Sequence, residues 1–377
     1  HLMAHAYTPG LKVLQHSKVK KERRLPIKGE VHKNIGDMVV ADEIVAETKL
    51  PGNVHMLKVA NRLNIAPGDI NDVLSINEGD PVEEGELIAE TQGLFGFFKT
   101  SLQSPISGKI ESISDVTGQI VIREKPLPVE VDAYVSGRVS EIIKDEGVTV
   151  ESDAAYVQGI FGIGGEARGD LEIVSGSRDR ELTIEDIKES HSGKIIVGGS
   201  FLGLDAYKKA LKLKVRGIVV GGFNYYDLEE VLGYRLGVAI TGTENLDTSL
   251  VVTEGYGNIK MSERTYNLLK LHDGKFVSIN GATQIRAGVI RPEIVIPLGK
   301  SEISDVIGSK EENLGIEIDS LVRVIRAPFF GKIGKVVDLP PDLKRMESET
   351  MVRVAEIQID DENIVVPRSN LEMLQTD

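Results

Sequence analysis

Leu321-Val-Arg-Val-Ile-Arg-Ala-Pro-Phe-Phe-Gly-Lys-Ile-Gly-Lys-Val-Val337 reads as two short β-strands joined by a turn. The first strand is expected over 322–325 and the second over 333–337. Gly331 stands where the turn needs a backbone free of a Cβ. Further strands are expected over 351–359 and 363–367, so residues 315–377 form a small β unit of their own.

This stretch resembles the KOW motif, and the tail Val366-Pro-Arg-Ser-Asn-Leu-Glu-Met-Leu374 resembles the closing strand of NusG-like elongation factors. The resemblance implies an SH3-like β-barrel whose loops bind RNA or a ribosomal or transcription protein. Arg323, Arg326, Lys332, Lys335, Lys344 and Arg345 are the positions here suited to phosphate. Phe329 and Phe330 are suited to stacking on a base or filling a partner's pocket. Residues 315–377 hold eight Lys/Arg against twelve Asp/Glu, a net of −4, which favours a protein partner over RNA.

The rest of the chain sets the context. The 377 residues are 41% hydrophobic and 27% charged, enough for several folded domains. Thirty-nine glycines beside 5% aromatics and no Trp suit many short strands and tight turns. The net charge of −14 disfavours a generic polyanion binder. With no Cys there are no disulfides, thiolate metal sites or Cys nucleophiles, and a reducing, cytoplasmic setting is expected. No apolar run approaches the ~20 residues of a membrane span. His1-Leu2 ahead of Met3 reads as an addition before a native start, with no signal peptide after it.

The middle of the chain reads as α/β. Gly193-Lys-Ile-Ile-Val-Gly-Gly199 and Arg216-Gly-Ile-Val-Val-Gly-Gly222 are buried strands ending in Gly-Gly, each followed by a helix, near 204–214 and 226–232. Further strands are expected over 237–242 and 249–253, with a helix near 262–271. This order implies parallel pairing. Ligands in such sheets bind at the carboxyl ends of the strands. Gly198, Gly199, Ser200, Gly221, Gly222, Thr241, Gly242, Thr243 and Glu244 therefore form a candidate rim, the alternative being turn geometry alone. Gln284, Arg286 and Arg291 are candidates to grip a small acidic ligand, or to cap a loop against Glu254 and Glu244, and Glu254 is a further candidate ligand-binding position. The order of elements resembles swivelling phosphohistidine domains, but Phe223-Asn224 follows Gly222 with no His nearby, so that chemistry is not carried over. No P-loop, nucleophile elbow or His-Glu-x-x-His pattern is present, no cofactor is called for, and a noncatalytic protein is favoured.

The N-terminal region contains a repeat. Asn34-Ile-Gly-Asp-Met-Val-Val-Ala-Asp-Glu-Ile-Val-Ala-Glu-Thr48 recurs as Asn77-Glu-Gly-Asp-Pro-Val-Glu-Glu-Gly-Glu-Leu-Ile-Ala-Glu-Thr91, and Ser107-Gly-Lys-Ile110 recurs as Ser136-Gly-Arg-Val139. Repeated strand–turn units mark a pseudo-symmetric β structure. Residues 76–113 resemble the biotinyl/lipoyl hammerhead, and more closely the barrel-sandwich segment found in the Rnf electron-transport complex. The carrier role needs a lysine at the hairpin tip. Lys99 is the one candidate, but its flanks Gly96-Phe-Phe-Lys-Thr100 depart from the carrier pattern, and without Cys the Rnf electron-transfer role is not carried over. Leu94, Phe95, Phe97 and Phe98 crowd this tip, either as an exposed partner site or as a plug of the barrel end. The basic run Lys18, Lys20, Lys21, Arg23 and Arg24 is expected to be a solvated leader.

The expected architecture is thus multidomain α+β: a β-rich barrel-sandwich hybrid over 18–174, a central α/β domain over 175–300, and a C-terminal KOW barrel over 315–377. The expected function is a noncatalytic adaptor or assembly factor. It would bind a protein partner through the barrel and the hydrophobic loop, away from any membrane. The alternatives are an RNA-associated factor using the KOW loops, or an enzyme or ligand-binding protein at the glycine-rich strand ends.

Overall fold

A computed structural model describes residues 11–93, 96–233, 244, 246–284, 290–312, 316–346 and 351–374. The protein is β-rich, with several sheets and a few short helices. No helix among the described residues is long and apolar enough to cross a membrane.

The repeat builds two like units, one inside the other. In the turns 34–37 and 77–80 the aspartate carboxylate accepts the backbone N–H of the asparagine, at 2.8 Å from Asp37 and 2.7 Å from Asp80. Gly36 and Gly79 sit at φ +92° and +91°, a conformation that only glycine adopts without strain. Six residues on, Glu43 accepts from Val40 N and Glu86 from Glu83 N. The serines of the second motif complete each unit, Ser136 Oγ accepting from Ala41 N at 3.1 Å and Ser107 Oγ from Glu84 N at 2.9 Å. Strand Met38–Val39 pairs Gly137–Ile143 as strand Pro81–Val82 pairs Gly108–Ser114.

Each unit also has a hairpin. In the outer unit, strand Ile44–Leu50 pairs Leu127–Asp132, and residues 51–126 are inserted between them. Those residues contain the inner unit, whose own hairpin pairs Leu87–Glu90 with Ser101–Gln103. Each unit has its own core. Ile70, Ile88, Ile110, Ile120 and Ile122 fill the inner one, and Val45, Val135, Val139, Val148 and Val150 the outer one.

The outer unit runs into an eleven-stranded sheet. Strand Gly147–Gln158 pairs with Gly137–Ile143 near its start and with Glu293–Pro297 near its end, so the sheet joins strands from either side of residue 174. Strand Glu166–Ile173 is the pivot. Its first half runs antiparallel to Phe276–Asn280, and its end runs parallel to Ile195–Val197. Strands Gly217–Phe223 and Ser249–Tyr256 continue the parallel part, with helices Leu204–Lys212 and Tyr225–Leu232 in the connections. The strand expected over 237–242 lies outside the described residues. Two apolar layers cover this part, one around Tyr207, Ile218 and Phe223, the other around Val219, Leu269 and Ile279.

The basic run near the N-terminus corrects the expectation of a solvated leader. Residues Val13–Arg24 form a strand along the whole of Gly147–Gln158. Lys21 Nζ lies 2.6 and 2.7 Å from the Glu293 carboxylate, and Arg23 binds both Asp132 and Glu166. The carboxylates that neutralise these cations come from distant parts of the chain, so the run is stitched into the sheet.

After helix Lys300–Glu312 the chain ends in a six-stranded barrel-like antiparallel sheet with its own core of Val322, Val324, Val336, Ile357 and Leu371.

Candidate functional site

The glycine-rich strand ends come together, and the chain's own backbone fills the space beside them. A methyl group at Gly199 would lie 2.2 Å from the Arg180 carbonyl oxygen. At Gly221 it would lie 2.2 Å from that of Ile259, and at Gly222 1.8 Å from that of Gly257. Gly198 instead faces the Val220 and Leu182 side chains. Ser200 Oγ donates to Asp179 O at 2.9 Å, and its carbonyl accepts from Ile259 N. The glycines thus admit the segments 177–181 and 257–261 against the sheet.

The polar candidates nearby also serve local structure. Glu254 accepts from Ser262 N at 2.7 Å, at the start of helix Glu263–Leu271. Glu244 accepts from Gly164 N at 2.9 Å, and Gln284 N donates to Ile290 O. Phe95, Thr243 and Arg286 lie outside the described residues, as do Leu94, Thr241 and Gly242. Among the described residues no three His, Asp or Glu side chains form a group able to hold a metal ion.

The tip of the inner unit is built differently. Thr91 N donates to Thr100 O and Thr100 N donates to Thr91 Oγ1, each at 2.9 Å, which clamps the neck of the loop. Gly93 and Gly96 take positive φ, and Gly93 packs against the Phe97 carbonyl. Phe98 also takes a positive φ, +65°, a conformation that costs a non-glycine residue ~1–2 kcal/mol. Beyond this neck Phe97 and Phe98 project outward, 71% and 92% exposed. Neither of these two rings is buried in the inner core. Lys99 lies 3.9 Å from Glu90.

A second aromatic site lies on the C-terminal sheet, in the turn between strands Leu321–Val324 and Ile333–Asp338. Gly331 has φ +82°, and its N–H donates to Val324 O at 2.7 Å. This turn divides the two phenylalanines. Phe329 is half-buried on the barrel core, while Phe330 is 74% exposed. Two grooves of about 380 Å³ flank Phe329. Arg326, Met346 and Val365 line one, and Lys332 with Asp360, Asp361 and Glu362 lines the other. Lys335 is paired with Asp319 at 2.8 Å, and Arg323 stands 3.6 Å from Glu372. Arg326 has no carboxylate within 4 Å among the described residues.

No protein-family model matches the chain, and no curated protein is significantly similar to it.

One constellation escaped the sequence reading. Glu293, 6% exposed, receives Lys21 Nζ and the hydroxyls of Tyr134 and Tyr156, at 3.2 and 2.8 Å. Burial and the Glu293 charge push both tyrosines above the ordinary phenol range. Beside them Arg168 forms a two-pronged pair with Asp132 at 2.7 and 2.8 Å. The charges are matched inside the protein, so the cluster fastens strands together.

Proposed function

We propose that the protein is a noncatalytic adaptor or assembly factor that holds a protein partner through its C-terminal KOW barrel and the Phe97–Phe98 loop. One observation carries this reading: Phe97, Phe98 and Phe330 stand exposed on tightly hydrogen-bonded turns. Aromatic rings held in this way lose little freedom on binding and supply much of the energy of a protein interface. The pairing of Arg323 and Lys335 with carboxylates, and the acidic 360–362 segment beside Lys332, support a protein partner over a polyanion. The enzyme reading at the glycine edge draws less support, because backbone occupies the space a ligand would need.

RNA binding stands second, favoured by one feature, Arg326, which lies beside Phe329 and has no carboxylate within 4 Å among the described residues.

The test is purification of the tagged protein from its source cells, with and without ribonuclease. A defined protein partner is expected to survive ribonuclease and to be lost from a Phe97→Ser/Phe98→Ser/Phe330→Ser variant. Enrichment of RNA, or loss of the partner on ribonuclease treatment, overturns the adaptor reading in favour of the second.

A further inference from the structure

The two units of the repeat carry the same groove, and only one of them has a wall on its far side. In the outer unit a groove of about 560 Å³ is lined by Met38, Gly137, Arg138, Glu151, Ser152 and Asp153. Their counterparts Pro81, Gly108, Lys109, Arg123, Glu124 and Lys125 line a groove of about 660 Å³ in the inner unit. The match follows from the pairing register, Arg138 opposite Glu151 in one unit and Lys109 opposite Arg123 in the other.

The outer groove is bounded by another part of the chain. Pro297, Leu298, Lys300 and Ile303 form its far side. Pro297 pairs with Ala154, and Leu298 N donates to Asp153 O at 2.8 Å. An extended segment therefore runs beside residues 153 and 154 and carries Lys300 into a groove that holds Glu43, Glu151 and Asp153. In the inner unit every lining residue falls within 79–126. The Lys125 carbonyl, counterpart of that of Asp153, accepts no hydrogen bond among the described residues.

The charges at these positions are reversed. Arg123 and Lys125 stand where the outer unit has Glu151 and Asp153. Arg123 is neutralised by Glu111 at 3.0 Å. Lys109 and Lys125 are exposed and have no carboxylate within 4 Å among the described residues. Pro81, Ile110 and Pro126 also line the groove.

We propose that the inner groove docks an extended, apolar segment of a partner protein that bears acidic side chains. The segment runs beside residues 124–126 as 297–298 runs beside 153–154, with its backbone bonded to the Lys125 carbonyl. Its carboxylates face Lys109 and Lys125, as Lys300 faces the acidic groove of the outer unit. Edge recognition of this kind takes affinity from main-chain hydrogen bonds and specificity from side chains. The inference takes only the class of partner from the adaptor reading, and the aromatic turns play no part in it.

The probe is a fluorescein-labelled peptide with this chain's own 293–303 sequence, and the same peptide carrying Lys300→Glu. Anisotropy is measured with the full chain. The Lys300→Glu peptide is expected to bind about fivefold more tightly than the unaltered one, the effect of losing one like-charged side chain and gaining one exposed ion pair. A Lys109→Glu/Lys125→Glu chain, checked by circular dichroism, reverses that order. Hydrogen exchange slows at 108–111 and at Glu124 and Lys125 when the peptide binds. Absence of binding by either peptide, an order unchanged by the charge swap, or protection at 137–138 and 151–153 instead, overturns the proposal. None of these outcomes depends on Phe97, Phe98 or Phe330, so the two readings fail separately.

Discussion

Glu293 brings a carboxylate into the largest sheet, where three donors from two other strands and a loop meet it. A buried charge is tolerated only while it is paired. Glu293→Ala leaves Lys21 without a counter-charge and is expected to cost about 3–5 kcal/mol. Lys21→Met/Glu293→Leu removes both charges and restores most of that loss. Urea unfolding of the two variants checks this, and equal loss in both would show that packing, not charge, is at stake. His191 and His272 give the second prediction at this scale. Both are buried, and burial holds both below the ordinary imidazole range. The unfolded chain then binds more protons than the folded one, so stability is complete above about pH 6.5 and declines as the pH falls below it. Denaturation midpoints at pH 7.5 and 5.5 are expected to differ by less in a His191→Gln/His272→Gln variant than in the parent.

Among the elements, the glycines at strand ends and in pairing strands are contact points between backbones. Gly222→Ala and Gly137→Ala each put a methyl group against a carbonyl oxygen, of Gly257 in one case and Glu151 in the other. Each is expected to cost ~1–3 kcal/mol or more. Gly68→Ala meets nothing within 4 Å and should stay within about 0.5 kcal/mol of the parent. Thermal unfolding of the three separates crowding from a general intolerance of alanine. The turns were readable in the sequence because Asn-x-Gly-Asp and Ser-Gly are local signals, complete within a few residues. The role of Lys18–Arg24 was not readable, because five cations in seven residues look the same in solvent and in a sheet. What decides between them is a carboxylate 272 residues away. The exposure of Phe97 and Phe98 was likewise undecided, since a plug and a protruding loop share one composition.

For the molecule as a whole, the sequence showed that two units exist but not that one lies within the other. The repeat marks turns, whereas nesting is set by which hairpin strands pair. The pairing of Leu50 with Leu127 is the observation that places one unit inside the other. Replacing residues 54–123 by Asn-Gly, the favoured two-residue hairpin turn, joins Asn53 to its hydrogen-bonded neighbour Glu124 in the native register and is therefore expected to leave the remaining sheets folded. Far-ultraviolet circular dichroism and the unfolding midpoint check this, and collapse to an unfolded chain would show that the inner core supports the outer one. The parallel part of the large sheet was legible from its alternation of apolar strands and helices. The charge cluster was not, because its members are scattered from Lys21 to Glu293.

The enclosure of one unit by another also imposes a schedule on synthesis. All strands of the inner unit have left the ribosome once residue 123 has emerged, and its core can close at once. The strand Val13–Arg24 is made long before but has no mate until residues 147–158 follow. The outer core includes Val295, so it stays incomplete until nearly three hundred residues have been translated. A nascent chain released early should thus hold a protected island of hydrogen exchange at 54–123, while the residues that precede it in translation still exchange freely.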